Sequence, residues 1–158
     1  MIRRKRSFLL IAIIGIIFDQ LTKYIVVQNF GAIGDTLPLW PNVFHFTYVI
    51  NTGAAFSFFR GQVEILRWIS LIVSVILIIF VWYSPRISQL EQFGYGFILA
   101  GAIGNGIDRF LFGYVVDFLD FRLINFPVFN IADVAINIGV FILILATLLT
   151  PSKSERSN

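Results

Sequence analysis

Four stretches of this 158-residue chain are long, apolar and poor in charged side chains, and they lie at about 8–27, 65–83, 93–112 and 132–149. A helix that crosses the hydrocarbon core of a bilayer needs about 20 such residues. With 58% hydrophobic and 13% charged residues, the chain is also far more apolar than a water-soluble domain. The pattern predicts an all-α integral membrane protein, with four transmembrane helices in a single membrane domain over residues 1–158.

Basic residues indicate how the chain is oriented, because they concentrate on the cytoplasmic side of membrane proteins. One side of the predicted spans carries Arg3, Arg4, Lys5, Arg6, Arg86, Lys153 and Arg156, and the other carries Arg60, Arg109 and Arg122. We therefore expect both termini in the cytoplasm and the two longer links, 28–64 and 113–131, at the outer face. A membrane anchor explains the basic N-terminal cluster better than a nucleic-acid surface does.

The first outer link contains a strand signal. Residues 43–50 are rich in β-branched and aromatic side chains, which favour strands. We expect a strand or hairpin at the membrane interface. The second outer link is similarly rich in aromatic and aliphatic residues at 115–119 and 126–129.

Charged residues inside the spans are candidates for function, because charge in a bilayer is unfavourable. Asp19 and Lys23 are four residues apart and fall on one helix face. They form either a self-neutralising pair, in which Lys23 extends outward to the membrane surface, or part of a polar site inside the bundle. Asn105, Asp108 and Arg109 close the third span. These residues form either a helix end with an ion pair of Asp108 and Arg109 at the interface, or part of the same polar site as Asp19 and Lys23.

Three further aspartates lie in or beside the second outer link. Asp117 is flanked by apolar residues on both sides, and desolvation there would raise its pKa. Asp120 fits an exposed loop carboxylate better. Asn130 is a suitable N-cap for the fourth span, and Asp133 falls in its first turn, a position compatible with capping and with catalysis.

Residue types that are absent or rare limit the kinds of catalytic and metal site that this chain can form. The chain has no cysteine and one histidine, which excludes disulfides, thiolate sites and polyhistidine metal sites. We predict no metal and no cofactor. The remaining acid–base machinery is a carboxylate pair that shares one proton, which can activate water and protonate a leaving amine. A two-aspartate membrane protease is the leading hypothesis.

Two other classes stay open at this point. A small four-helix proton-coupled transporter would place its essential carboxylate near the midplane of the bilayer, where Asp19 could serve. Most acidic residues here cluster toward one face instead. A non-catalytic membrane scaffold would leave Asp117 and Asp133 separately replaceable.

Five polar motifs together resemble the signature boxes of bacterial lipoprotein signal peptidase, or signal peptidase II. They occur in the family's order across residues 19–133, and they are Asp19-Gln20-Leu21-Thr22-Lys23, Asn51-Thr52-Gly53-Ala54-Ala55-Phe56-Ser57, Gly104-Asn105-Gly106-Ile107-Asp108-Arg109, Val115-Val116-Asp117-Phe118 and Phe129-Asn130-Ile131-Ala132-Asp133.

The resemblance implies an intramembrane aspartyl endopeptidase of the bacterial cytoplasmic (inner) membrane. It would remove signal peptides from prolipoproteins, cutting before the cysteine that carries diacylglycerol. By this resemblance Asp117 and Asp133 would be the catalytic dyad, and the substrate-binding or supporting residues would be Asp19, Lys23, Asn51, Gly53, Asn105, Asp108, Arg109 and Asn130.

The same resemblance implies the partners. They would be the diacylglyceryl-modified prolipoprotein and membrane lipid, with no nucleic acid, and the protein is expected to be a monomer. The resemblance also implies that link 28–64 forms a small extracytoplasmic sheet between the first two helices and a mobile flap over the site. Inhibition by the cyclic peptide globomycin is implied as well.

Overall fold

The computed structural model describes residues 5–53 and 61–149. Its helices are α1 (Arg6–Asn29), α2 (Val63–Tyr83), α3 (Gln89–Leu111) and α4 (Ile131–Leu149). Its strands are β1 (Thr36–Trp40), β2 (Phe44–Asn51) and β3 (Val115–Phe121), followed by a single 3-10 turn at Arg122–Ile124. The helices therefore fall on the four predicted apolar stretches.

Within this part of the chain, three helices are long and apolar enough to cross a membrane, namely α1, α2 and α4. The third predicted span, α3, does not meet that standard. It is the central helix and packs against each of the other three. Because its neighbours shield it, α3 can carry polar and small side chains that a lipid-facing helix could not, and many of them are buried.

Glycines let α3 approach its neighbours closely. A Cβ atom added to Gly104 would lie 2.5 Å from the Asp19 carboxylate, and one added to Gly101 would collide with the backbone oxygen of Ala132. Without side chains at these positions, α1 and α4 reach the backbone of α3. This close contact brings the polar residues of three helices together.

The sheet is antiparallel with strand order β1-β2-β3. The hairpin of β1 and β2 confirms the strand expected in the first outer link. The sheet is not confined to that link, however, because β3 comes from the second link and pairs Val49 with Asp117 and Phe46 with Leu119. Val116 and Phe118 of β3 pack with Val26 of α1, which fixes the sheet onto the helices.

The prediction that Asp120 is an exposed loop residue is wrong. The side chain is largely buried, accepts a hydrogen bond from Thr47 Oγ1 at 2.6 Å and pairs with Arg122 Nε at 2.8 Å. Burial opposes ionisation, but these two partners outweigh it and hold the pKa of Asp120 below its ordinary value. Pairing of β3 with β2 creates this environment. Residues 54–60 of link 28–64, the link from which the flap is expected, lie outside the described part of the chain.

Candidate active site

The start of α4 fixes Asp133. Asn130 precedes the helix, and its Oδ1 atom accepts a hydrogen bond from the backbone N–H of Asp133 at 3.0 Å. The carboxylate of Asp133 in turn accepts from the backbone N–H of Asn130 at 3.2 Å. This reciprocal arrangement confirms the predicted N-cap and holds Asp133 rigidly on the first turn.

Two asparagines hold Asp117 on β3. Asn130 Nδ2 donates to one carboxylate oxygen at 2.6 Å, and Asn51 Nδ2 donates to the other at 2.8 Å. Asn51 is itself oriented, because its Oδ1 atom accepts from the backbone N–H of Gly53 at 2.8 Å. Asn130 therefore contacts both Asp117 and the backbone of Asp133, which ties the two aspartates to one residue.

Asn105 of α3 links Asp133 to the interior of the bundle. Its Nδ2 atom donates to Asp133 Oδ1 at 2.9 Å, while its Oδ1 atom accepts from Asn130 Nδ2 at 3.0 Å and from Lys23 Nζ at 3.1 Å. The side-chain amide of Asn105 therefore connects the buried ammonium group of Lys23 to the carboxylate of Asp133.

Lys23 is the centre of a buried charge cluster. Its ammonium group has three N–H donors, and three side chains accept from it. They are Asn105, Asp19 at 2.9 Å and Asp108 at 3.0 Å. Asp19 and Lys23 are therefore a salt-bridged pair inside the polar site. The alternative in which Lys23 extends outward to the membrane surface is wrong, because its ammonium group is buried among these three acceptors. Asp108 pairs with Lys23 and not with its neighbour Arg109.

The two carboxylates of this cluster hold the backbone beside the candidate catalytic residues. Asp19 Oδ1 accepts from the N–H of Ala132 at 2.8 Å, and Asp108 Oδ2 accepts from the N–H of Val116 at 3.2 Å. Ala132 and Val116 immediately precede Asp133 and Asp117. Each cluster carboxylate thus positions the chain at one candidate catalytic aspartate.

Gln20 is a site residue that the sequence analysis missed. Its Nε2 atom donates to Asp108 Oδ1 at 2.9 Å, to Asp19 Oδ2 at 3.1 Å and to the backbone oxygen of Gly104 at 3.2 Å. The available signal was its position, since Gln20 is an amide inside an apolar span and directly follows Asp19.

Arg109 connects α2 with the loop after β2. Its guanidinium donates to Ser70 Oγ at 3.3 Å and to the backbone oxygen of Gly53 at 3.2 Å. Arg67 of α2 donates to the backbone oxygen of Arg109 at 3.1 Å. Sequence reasoning also missed Ser70 and Arg67.

The candidate catalytic residues face one cavity of about 900 Å³. Asp117, Asp133, Asn51, Asn105 and Arg109 line its polar part. Thr52 and Asn137 line it as well. Most of the remaining lining is apolar, and much of it comes from α4 and the segment before α4, namely Val134, Ile136, Ile138, Phe126, Pro127, Val128 and Phe129. The cavity therefore offers a carboxylate pair beside an apolar surface.

Burial raises the pKa of the Asp117 carboxyl from 3.8 to about 7, and the neighbouring charge of Asp133 adds to this rise. Hydrogen bonds from Asn51 and Asn130 and the charge of Lys23 oppose it without cancelling it. A buried carboxyl that holds a proton near neutral pH, with a second carboxylate beside it, is the arrangement that acid–base hydrolysis by two aspartates needs.

Residues 11–149 match the family model described as Signal peptidase (SPase) II. The chain belongs to the signal peptidase II family. It is 67% identical over 157 residues to the lipoprotein signal peptidase of Gloeothece citriformis, covering 99% of this chain and 98% of that protein. It is 64% identical over 155 residues to the lipoprotein signal peptidase of Microcystis aeruginosa, covering 98% and 99%.

Two solved structures described as bacterial membrane enzymes are also similar to this signal peptidase II chain. One gives a TM-score of 0.86 at 36% identity, covering 96% of this chain and 93% of that one. The other gives 0.81 at 37% identity, covering 92% and 94%. The fold is thus that of a helical membrane enzyme with a small antiparallel sheet. In the part of the chain that the structure describes, no three His, Asp or Glu side chains are grouped to hold a metal ion.

Proposed function

We propose that this signal peptidase II removes signal peptides from diacylglyceryl-modified prolipoproteins, using Asp117 and Asp133 as its catalytic pair and cutting before the lipidated cysteine. The observation that carries the proposal is that both aspartates line one cavity and are joined through Asn130. The relatives named lipoprotein signal peptidase support the substrate class. Family membership disfavours the transporter.

We further propose that all four helices cross the bacterial cytoplasmic membrane as one monomeric domain, with both termini in the cytoplasm. The basic residues on one side of the spans support this orientation. Burial of α3 among the other helices explains how it can cross while being less apolar. The sheet and the cavity then lie at the outer face, where a lipid-anchored chain presents its scissile bond near the headgroups.

The proposed reaction needs one proton on the pair, because two neighbouring buried carboxylates do not both ionise readily. Asp133 accepts a proton from water as the water oxygen attacks the scissile carbonyl. Asp117 gives its proton to the leaving nitrogen as the carbon–nitrogen bond breaks. The products are a signal peptide with a free carboxyl group and a lipoprotein with a free cysteine amine.

A gel-shift cleavage assay with purified protein in detergent tests this function. We expect cleavage of a diacylglyceryl-modified prolipoprotein and no cleavage of the same precursor with its lipidated cysteine replaced by serine. The serine precursor is the control because it keeps the peptide sequence but cannot carry the lipid. Failure of folded wild-type protein to cut the modified precursor would contradict the proposal.

The pH dependence of cleavage reports on Asp117. Since its pKa is about 7, the proton that it holds is lost as the pH rises through this value, and we expect the rate to fall on the alkaline side with a midpoint near pH 7. Asn51→Ala removes a hydrogen bond that favours the ionised form, so the midpoint should move to higher pH.

Thr52→Ala is the matched control for that shift. Thr52 also lines the cavity but gives Asp117 no hydrogen bond among the residues described, so its alkaline midpoint should match that of wild type. A midpoint that stays unchanged in Asn51→Ala, measured as kcat/KM against pH, would show that Asp117 does not control the alkaline limb.

A further inference from the structure

Asn137 is a polar side chain that the catalytic network does not use. It lies on α4, and every other side chain between Asp133 and Thr147 is apolar. An amide on an apolar membrane helix is unfavourable unless it has hydrogen-bond partners. Asn137 nevertheless is exposed at the surface of the helix. The packing of the bundle does not explain its presence.

The Asn137 side chain uses only part of its hydrogen-bonding capacity. Its Nδ2 atom donates to the backbone oxygen of Asp133, four residues earlier, at 2.9 Å. This bond is local to the helix. Within residues 5–53 and 61–149, the Oδ1 atom and the second amide proton have no partner. One donor and one acceptor therefore remain open.

The position of Asn137 relates it directly to the catalytic pair. It lines the same cavity as Asp117 and Asp133. Residues four apart lie on one face of a helix, and the rise of about 1.5 Å per residue puts Asn137 about 6 Å beyond Asp133 along α4. Since α4 runs inward from the outer face in the proposed orientation, Asn137 lies deeper in the membrane than the aspartates do.

A substrate in this cavity needs a partner at that depth. A signal peptide must leave its helical form around the scissile bond before it can be cut, and this exposes backbone N–H and C=O groups where no water is available. An extended chain advances about 3.3 Å per residue, so 6 Å corresponds to about two residues. The neighbouring wall, Ile136 and Ile138, is apolar and offers no side-chain hydrogen bond.

We infer that Asn137 is a substrate-binding residue that hydrogen-bonds the backbone of the signal peptide about two residues before the scissile bond. The inference rests on the proposed peptidase function and orientation. Its open Oδ1 atom accepts the peptide N–H, and its second amide proton is donated to a carbonyl of the same strand. In this way Asn137 sets the register in which the chain crosses the two aspartates.

A double-mutant cycle between enzyme and substrate tests this contact. A set of synthetic lipidated precursors would each carry one amide-to-ester replacement, at one of the four residues before the scissile bond or, as a control, deep in the hydrophobic segment. The ester removes one N–H and changes the shape little. With wild type, we expect one ester near the second position to lower kcat/KM roughly three- to tenfold, the effect of one hydrogen bond.

With the all-amide precursor, kcat/KM of the Asn137→Leu variant should be lower than that of wild type by a similar factor. Introducing that ester into the precursor should lower kcat/KM of the variant only a little further. Asn137→Ala repeats the measurement if the leucine variant unfolds at lower temperature than wild type. Esters in the hydrophobic segment should have no effect with any of the three proteins. These outcomes together support a direct contact.

Other outcomes overturn the inference. Cleavage by both Asn137 variants at the wild-type rate would do so, and so would losses that multiply independently at every ester position. A variant penalty that instead couples to ether replacement of the diacylglyceryl esters would place the amide on the lipid, which also overturns it. Wild-type cleavage of the all-amide precursor separates these results from failure of the proposed function, because that failure would abolish cleavage altogether.

Discussion

Asp117→Asn and Asp133→Asn are each expected to lower the cleavage rate by about three orders of magnitude or more while leaving the protein folded. Each substitution keeps the shape of the side chain but removes one titrating group, and positioned acid–base groups contribute about 10²–10⁴-fold each. The rate should be measured by gel shift on the lipidated precursor, with thermal unfolding in detergent as the test of folding.

Asp120→Asn is the matched control for the pair. Asp120 lies on the same strand as Asp117 but bonds to Thr47 and Arg122, and it is not among the side chains that line the cavity. Its replacement should leave cleavage within a few-fold of wild type. If a folded Asp117→Asn or Asp133→Asn variant kept substantial activity, the peptidase function would still hold, but the assignment of these two residues as the catalytic pair would be wrong.

Lys23→Met is expected to cause the largest loss of stability among the supporting residues. The substitution keeps the length of the side chain but leaves Asp19 and Asp108 buried without their shared cation. Removing one partner of a buried ion pair costs about 3–5 kcal/mol. The melting temperature in detergent should fall clearly, and cleavage should fall with it.

Two further variants test the electrostatic origin of that loss. Adding Asp19→Asn to Lys23→Met removes one of the two uncompensated charges and should recover part of the stability. Lys5→Met is the control, because Lys5 Nζ bonds only a backbone oxygen, that of Ser84 at 2.8 Å, and holds no carboxylate among the residues described. Equal melting temperatures for Lys23→Met and wild type would rule out the cluster as a source of stability.

The helices and the site motifs were predictable from the sequence because their signals are local. Apolar length marks the spans, and charge or amide in an apolar setting marks Asp19, Lys23 and Asn105. The start of α3 was predicted less well, because apolar content placed it at residue 93, whereas a capping box of Ser88 and Glu91 starts the helix at Gln89.

The third strand of the sheet and several site residues were not predictable because they depend on contacts between distant residues. The strand β3 lies more than 60 residues from its partner β2, and neither outer link shows alone that the two pair. Ser70 bonds the backbone oxygen of Leu66 as membrane-helix serines commonly do, so nothing in the sequence marks its second contact, with Arg109. The burial of Asp120 follows from the same pairing.

The cluster in which Lys23 pairs with Asp19 and Asp108, and these two carboxylates hold the backbone beside each aspartate, also constrains the biogenesis of the enzyme. Asp19 and Lys23 are synthesised first and already form an i,i+4 pair within α1, so that helix can enter the membrane with its charges matched. Asp108 follows with α3, and Asp133 arrives only with α4. Because the N–H of Ala132 in α4 completes the cluster, a partly synthesised chain has no assembled site. With Asp133 as a catalytic residue, as proposed, the nascent enzyme would be unable to cut neighbouring chains until its last helix is in place.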